Sequence, residues 1–443
     1  MSKDFVKVKG MDFAVSNKKI TFRGFGIPNL FNIEHFLIGL PGSEFQIKKA
    51  LRDAYGEKNS EIFWDKFYKC YLNEKDFEFF KKIGINAIRL SFNYRLFESD
   101  QNPYNYNENG FKQIDRILTL CEKYEIYAIL DLHSAPGGQN PDWHSDNAIG
   151  ECLFWEYADF QNRTIALWEH IAERYKNNPW IAAYDLINEP CLYDLDGKPV
   201  NDFYKKIISK IRKIDNNHII FVEGDFYARD FTCFEEIDDP NIAYSFHYYA
   251  FFNLNKFHSG DILKKVEIDL FENITLDYLL KVLKRPIWCG ETGTLLNDPN
   301  KDLEEKVLKN TIEIFEKYNI SWSLWDYKDA RSMGVIFPSE NSKWMEFSRK
   351  ACNNWEFWNN QREIEKDVKM LFKKYSIDYS NKKLFLKLKF RIMANNHLLY
   401  VENYKNQFSK IKFEDLLGYP ESFLLDNCEQ WNEIIQIVLD YTK

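Results

Sequence analysis

The chain has 443 residues, a net charge of −8, 45% hydrophobic residues and 17% aromatic residues. This composition predicts a globular protein with a large core, built as one large domain or as two to three smaller ones. The interspersed charges argue against nucleic-acid binding, which needs a clustered basic face. No apolar run approaches the ~18 residues of a membrane span.

The eight cysteines are scattered along the sequence without a CxxC pair. This distribution is typical of a reduced intracellular chain rather than of a disulfide framework. The first residues also lack the apolar core of a signal peptide. We therefore expect a cytoplasmic protein.

Strand-like apolar runs alternate with helical patterns along most of the chain. The predicted strands comprise residues 20–26, 86–91, 127–133, 182–190, 218–223, 242–247, 286–291 and 321–326. The predicted helices comprise residues 74–80, 110–124, 160–175, 202–214 and 304–318. This alternation predicts an α/β protein with a (β/α)8 barrel. A doubly wound open sheet is the main alternative, but residues 23–26 lack the third glycine of a phosphate-binding loop.

The pattern changes after residue 355. Residues 362–375 and 431–441 show amphipathic helical spacing, whereas residues 383–390 alternate as a half-buried strand does. We therefore divide the chain into a catalytic barrel of residues 1–355 and a small α/β extension of residues 356–443. The extension is expected to pack on the outside of the barrel.

Two predicted strands end in a glutamate. Pro190 cannot donate to a strand ladder, so the fourth strand must stop near Asn188 and Glu189. The seventh strand ends in Glu291. The carboxyl ends of barrel strands carry the chemistry of this fold, and cleavage of a glycosidic bond needs two carboxyl groups, about 5–5.5 Å apart in retaining enzymes. The alternative is a pair of surface glutamates without a shared function.

Asn188-Glu189-Pro190, followed by Gly290-Glu291-Thr292, resembles glycoside hydrolase family 5. The resemblance covers about residues 20–335 and implies that Glu189 is the acid/base and Glu291 the nucleophile. It also implies six sugar-site residues: Arg89 keeps the nucleophile ionised, His133 lines the subsite of the cleaved sugar, Asn188 contacts its 2-hydroxyl, His247 and Tyr249 form a His-x-Tyr pair, and Trp325 is the platform.

Within the family, the exo-β-glucanase-like branch is the most similar. Glu34 has the spacing of a glutamate that binds the terminal sugar in that branch, although residues 27–29 depart from the expected Leu-Gly-Gly. The loop of residues 135–146 also resembles that branch, and its Asn140, Trp143 and His144 are expected to reach the sugar. A purely structural loop is the alternative.

The roles impose opposite protonation states on the two glutamates. Arg89 should favour the charged form of Glu291. Glu189 should have a raised pKa, first from burial and then from the charge of Glu291. Glu223, at the end of the fifth strand, is expected to be structural.

The expected function is hydrolysis of terminal β-linked glucosyl units from short oligosaccharides or glycoconjugates. A β-mannosidase acting on manno-oligosaccharides or N-glycan core fragments is the alternative within this class. A carbohydrate-binding protein without catalysis is the alternative of another class. A metal site of His133, His144 and His247 is disfavoured because the chain has no HExxH motif, and no cofactor is expected. The sequence does not predict the oligomeric state.

Overall fold

Eight parallel strands form a closed barrel in the computed structural model, which describes residues 4–192, 197–235, 237–353 and 355–443, with only the backbone for residues 358 and 359. The strands are β1 (Arg23–Phe31), β2 (Ala87–Asn93), β3 (Tyr127–Ser134), β4 (Ile181–Asp185), β5 (Ile219–Glu223), β6 (Ile242–His247), β7 (Ile287–Thr292) and β8 (Ser321–Leu324). Pairing of β8 with β1 closes the ring. The predicted (β/α)8 barrel is confirmed.

The strands are buried on both faces, which explains their nearly continuous apolar runs. Every residue of β2 to β8 is buried, because helices cover the outside while side chains fill the interior. β1 begins later than predicted, since Lys18–Ile20 belongs to an antiparallel sheet with Asp12–Val15 and Lys7–Lys9. This sheet packs through Phe13 against Phe22 and closes the barrel end where the strands start.

The surrounding helices present apolar stripes to the barrel. Glu108–Tyr124, for example, buries Phe111, Ile114 and Leu118, and Asn107 caps its start by accepting from the Asn109 amide. The helices before residue 356 are His35–Ile38, Glu44–Tyr55, Glu57–Tyr71, Glu74–Ile83, Glu108–Tyr124, Ala158–Tyr175, Lys198–Ile211, Ile262–Asn273, Leu276–Tyr278, Lys301–Lys317 and Lys343–Ala351. There are also 3-10 turns at Tyr94–Leu96, Trp143–Ser145, Leu153–Trp155 and Ala250–Phe257, a π-helical turn at Leu279–Leu283 and a short turn with left-handed residues at Asp225–Ala228.

The extension is largely helical. It contains Phe357–Lys374, Lys382–Phe408, Phe413–Leu416 and Asn432–Thr442, 3-10 turns at Pro420–Phe423 and Leu425–Asn427, and the short strand Cys428–Gln430, which pairs with Ile336–Pro338. The prediction of a strand at residues 383–390 is wrong, because these residues begin the helix Lys382–Phe408. Phe390 and Met393 of this helix pack with Ile364 and Val368 of the preceding helix. This helix–helix packing overrides the local alternation.

Hydrogen bonds join the extension to the barrel. Tyr404 donates to the Pro41 carbonyl (3.0 Å), and Trp431 donates to Glu305 (2.9 Å). The division of the chain at residue 355 remains a proposal. Within the described part of the chain, no helix combines the length and apolar character needed to cross a membrane.

Lys328 is a buried cation between the barrel and the extension. Its Nζ donates to Asp76 (2.6 Å) and to the carbonyls of Tyr71 (2.8 Å) and Phe423 (2.9 Å). Lys328→Ala leaves the buried Asp76 carboxylate without its cation, so the free energy of unfolding is expected to fall by about 3–5 kcal/mol. Chemical denaturation measures the change, with Lys281→Ala, a variant at an exposed lysine, as control. A loss no larger than that of the control would contradict this account.

Candidate active site

Both predicted glutamates lie at the carboxyl end of the barrel. Glu291 lies within β7, opposite His247 of β6. β4 ends at Asp185, and Glu189 follows it with a left-handed backbone conformation (φ 48°). A glutamate rarely adopts this conformation, and such strained positions cluster at functional sites.

The two carboxyl groups are close together. A carboxylate oxygen of Glu189 and one of Glu291 lie within 4.8 Å of each other. Retaining glycosidases have their carboxyl groups about 5–5.5 Å apart, whereas inverting enzymes need about 6.5–9.5 Å to accommodate a water molecule. The separation therefore favours the retaining arrangement.

Two donors fix the carboxylate of Glu291. Arg89 donates to Oε1 and Tyr249 donates to Oε2, each at 2.7 Å. Burial raises the pKa of Glu291 above its ordinary value, and the positive charges of His247 and Arg89 oppose this rise. One oxygen is thus held by a cation and the other by a phenol, which orients the group toward the cavity.

Arg89 is fully buried and joins the ends of several strands. It donates to Glu291 on β7 and, at 2.8–3.0 Å, to Asp185, Asn188 and Glu223. Asp131 on β3 adds a contact of 3.2 Å. A guanidinium presents its donors in a rigid fork, so Arg89 sets the relative positions of these side chains.

Glu189 is held by two histidines. His247 Nδ1 lies 2.7 Å from Oε1 and His144 Nε2 lies 3.1 Å from Oε2. Burial raises the pKa of Glu189, but these hydrogen bonds outweigh burial and hold it well below its ordinary value. The prediction of a raised pKa is therefore wrong for this geometry. The neighbouring carboxylates raise the pKa values of both histidines although burial opposes them, which favours the imidazolium form of each histidine beside Glu189.

Replacement of His144 tests this arrangement. His144→Gln removes the imidazolium charge that stabilises the carboxylate of Glu189, so the pKa of Glu189 is expected to rise. Because activity on the alkaline side falls when the acid loses its proton, the basic limb of the kcat/KM profile should move to higher pH. Initial rates on an aryl β-glycoside across the pH range measure this limb. An unchanged limb, or one that moves to lower pH, would contradict the proposed role of His144.

His133, in β3, and Trp325, directly after β8, form a pair of parallel rings that line the cavity. The rings of His133 and Trp325 are parallel within 4°, with centroids 5.2 Å apart. His133 also contacts Asp131 (2.7 Å) and Glu34 (3.3 Å). Burial lowers the pKa of His133, but Asp131 dominates and raises it to about 10. Glu34 therefore lies beside the expected subsite of the cleaved sugar.

Trp325 packs against the backbone of β1. A Cβ atom on Gly26 would lie 2.3 Å from Cε3 of Trp325. Only glycine therefore allows the indole to approach β1 this closely.

The three residues of the loop after β3 have different surroundings. His144 contacts Glu189, as described above. Asn140 is fully buried and donates to the Glu189 carbonyl (3.0 Å), with its Nδ2 also 2.9 Å from His144 Nε2. Trp143 stacks on His35 with ring centroids 4.0 Å apart. Direct contact of these three residues with sugar remains a prediction.

A cavity of about 570 Å³ contains the candidate site. Eight predicted residues line it: Glu34, His133, Trp143, His144, Glu189, Tyr249, Glu291 and Trp325. The other four, Arg89, Asn140, Asn188 and His247, lie behind these and are at most 1% exposed. The buried four orient the residues that line the cavity.

Comparison with known families decides the classification. The family model for cellulase, glycosyl hydrolase family 5, matches residues 48–331, which is more than half of the chain. The chain belongs to glycoside hydrolase family 5. The recognition made from the strand-end motifs is confirmed, and the chain is a retaining O-glycoside hydrolase.

Several family 5 relatives are similar over much of their length. The chain is 37% identical over 361 residues to a β-xylosidase from Phanerodontia chrysosporium, and the aligned region covers 78% of this chain and 75% of that protein. It is 28% identical over 310 residues to endoglucanase C from Acetivibrio thermocellus, covering 60% of this chain and 87% of that one. An endoglucanase structure from Thermotoga maritima matches with a TM-score of 0.54 at 20% identity, over 71% of this chain and 91% of that chain, and shows the shared fold.

Sequence reasoning missed parts of this family 5 site. Asp131 and Asp185 surround Arg89. Asp131 lies within an apolar strand and Asp185 ends another. A charged residue inside an apolar run was therefore a signal that the sequence offered. Glu223 accepts from Arg89 and from the Glu189 amide (2.6 Å), consistent with the structural role expected of it. The contribution of the extension to the cavity had no sequence signal.

The donor types of a metal site are also present in this family 5 cavity. Glu189, His247 and Glu291 bring ligand atoms within 4.8 Å of one another. Each of them is already engaged: Glu189 with two histidines and Glu291 with Arg89 and Tyr249. These hydrogen bonds match the carboxylate chemistry of a glycosidase.

Proposed function

We propose that the protein is an exo-acting β-glycosidase that removes one terminal β-linked glucosyl unit from short oligosaccharides or glycoconjugates. Glu291 attacks the anomeric carbon while Glu189 takes a proton from the imidazolium of His144 or His247 beside it and gives that proton to the leaving oxygen. This step forms a glycosyl ester on Glu291 and frees the alcohol. Water then attacks the anomeric carbon and restores the Glu291 carboxylate, and Glu189 takes a proton from that water and returns it to the histidine. Loss of the Glu291 charge in the ester favours the charged, basic form of Glu189.

The observation that supports exo action is an aromatic wall beside Glu34. His35 stacks on Trp143 (4.0 Å between centroids), Phe36 stacks on Phe357 (4.9 Å), and Trp143 meets Phe357 edge-on (5.0 Å). A chain extending past the cleaved sugar on this side would have to pass through the wall. An endo-acting enzyme needs an open cleft there.

The polar groups around the cavity suit one sugar ring. Glu34 and His133 line the cavity and are expected to bind hydroxyls on the far side of the ring. Asn188 is fully buried behind this lining, so the contact with the 2-hydroxyl that we expect of it requires the lining to shift when the sugar binds. Trp325 offers a flat face for the pyranose. Tyr249 is expected to donate to Glu291 or to the ring oxygen during the reaction.

A xylosyl unit is the second candidate for the cleaved sugar. The relative at 37% identity is named a β-xylosidase, and xylose is a glucose ring without the hydroxymethyl group. The mannoside alternative differs from glucose at the 2-hydroxyl, so it belongs in the same test.

Hydrolysis of an aryl β-glycoside panel tests the proposal. Purified protein is assayed on the glucoside, xyloside, mannoside and fucoside, and cello-oligosaccharide products are followed with time. We expect the glucoside to be preferred and single glucose units to be released. Early release of cellobiose or longer products would contradict exo action, and a preferred xyloside or mannoside would replace the glucosyl assignment.

The same assay separates an enzyme from a non-catalytic carbohydrate-binding protein. Equal, background-level release by wild type and by Glu291→Ala would favour the binding protein.

A cytoplasmic setting is also proposed, in keeping with the eight free cysteines. The oligomeric state is left to solution measurement.

A further inference from the structure

The leaving group of any substrate must pass the side of the cavity next to Glu189, because Glu189 protonates the leaving oxygen. This side is formed by the turn after β5. Its residues Phe226, Tyr227 and Ala228 all have left-handed backbone conformations (φ 54°, 62° and 57°). The Tyr227 amide donates to the Pro190 carbonyl (3.1 Å), so the turn is joined directly to the residue after the acid/base.

Three consecutive left-handed residues without glycine are rare, because each Cβ is crowded by the backbone. Such conformations persist where the surroundings enforce them and are concentrated at functional sites. Here the turn leaves the ring of Phe226 47% exposed while it lines the cavity. A large apolar side chain is thus held at the exit of the catalytic centre.

The extension completes this exit. Leu386 and Phe390, from helix Lys382–Phe408, line the same cavity. Phe390 also packs on the loop after β3, since a Cβ on Gly150 would lie 2.8 Å from the backbone of Phe390. The exit therefore has one apolar wall from the barrel and another from the extension.

Two charged groups at this exit, Lys389 and Arg229, are engaged with neighbours, whereas one carboxylate oxygen of the buried Asp142 in the same cavity has no hydrogen-bond partner among the described residues. Lys389 pairs with Glu365 at 2.8 Å. The guanidinium of Arg229 lies over the ring of Phe252, 5.9 Å from its centroid. A sugar leaving group would place hydroxyls against hydrocarbon, which costs free energy when their hydrogen bonds to water are lost.

We propose that this exit is a binding site for an apolar leaving group, so that the preferred substrates are β-glycosides of alcohols with an alkyl or aryl body. The inference rests on the proposed glycosidase activity and specifies its substrate class. The bond between the anomeric carbon and the alcohol oxygen breaks, the alcohol takes its proton from Glu189, and water supplies the hydroxyl of the released sugar.

The test is a chain-length series. Methyl, butyl, hexyl and octyl β-glucosides, or the xylosides if the aryl panel selects xylose, are assayed below their micelle concentrations beside cellobiose. Burial of each methylene favours the longer substrate, so kcat/KM is expected to rise by about threefold per methylene. The kcat/KM for hexyl glucoside should also be higher than the kcat/KM for cellobiose.

Variants at the exit test whether the rise of kcat/KM with alkyl chain length arises there. Leu386→Gln keeps a residue with good helix propensity, and Phe226→Asn keeps one that tolerates the left-handed region. Each is expected to lower the hexyl-to-methyl ratio of kcat/KM by about tenfold, the value for loss of a few buried methylenes. Leu399→Gln is the matched control, because Leu399 lies on the same helix, is 73% exposed and does not line the cavity, and it should keep the wild-type ratio.

The outcomes separate the two proposals. Absence of Glu291-dependent cleavage of every aryl glycoside overturns the glycosidase and this site with it. A flat alkyl series, or faster cleavage of cellobiose, in a protein that cleaves aryl glycosides overturns only the apolar leaving-group site. A wild-type ratio in both Leu386→Gln and Phe226→Asn would also overturn it.

Discussion

Glu291→Ala is expected to lower kcat for aryl β-glycoside hydrolysis by on the order of 10⁵-fold, as is found when a covalent nucleophile is removed. The alanine can form no glycosyl ester, and Arg89 and Tyr249 lose the carboxylate that they orient. Single-turnover and steady-state rates measure the loss. Glu156→Ala, at an exposed glutamate outside the cavity, is the control and should keep wild-type rates.

The products of Glu291→Ala provide a second, independent readout. Removal of the side chain leaves room for a small anion such as azide on the face that Glu291 attacks. Azide should therefore partly restore cleavage and yield the α-glycosyl azide, since one displacement inverts the anomeric centre. A residual rate within tenfold of wild type, or a β-glycosyl azide, is incompatible with Glu291 as the nucleophile.

Glu189→Ala is expected to lower activity in a manner that depends on the leaving group. A poor leaving group needs a proton in the transition state, so kcat/KM for an alkyl glycoside should fall by about 10³–10⁴-fold. A dinitrophenyl glycoside leaves without a proton, so its kcat/KM should fall by less than about tenfold. Measured kcat/KM values for the two substrates give this contrast directly.

The position of Glu189 makes this contrast specific. His144→Gln keeps the glutamate and should increase the dependence of kcat/KM on the leaving group far less than Glu189→Ala does. An equal loss on both substrates in Glu189→Ala would show that Glu189 holds the site together rather than donating a proton.

The strand ends were predictable because they depend on local sequence. An apolar run that stops at Pro190, and another that reaches Glu291, locate the ends of buried parallel strands without any tertiary information. The barrel then brings these ends together by its own geometry. Arg89, His133 and Tyr249 were found differently, from the resemblance to glycoside hydrolase family 5.

The protonation state of Glu189 was not predictable in this way. It is set by His247 on another strand and by His144 in a loop, and nothing in the local sequence fixes those distances. The prediction of a strand at residues 383–390 was wrong for a related reason. Their alternation permits a strand, but the helix Phe357–Lys374 packs against them and selects a helix.

The helix Lys382–Phe408 has a consequence for how specificity can change. The two proposed catalytic glutamates belong to the β4 and β7 regions of the barrel, while Leu386 and Phe390 reach the cavity from a segment that follows these regions in the sequence. Substitutions at Leu386 or Phe390 change the lining of the cavity without changing a residue of a barrel strand. On the proposed assignment, sugar recognition and leaving-group recognition can therefore diverge separately among descendants of this chain, and an engineer can exchange one while keeping the other.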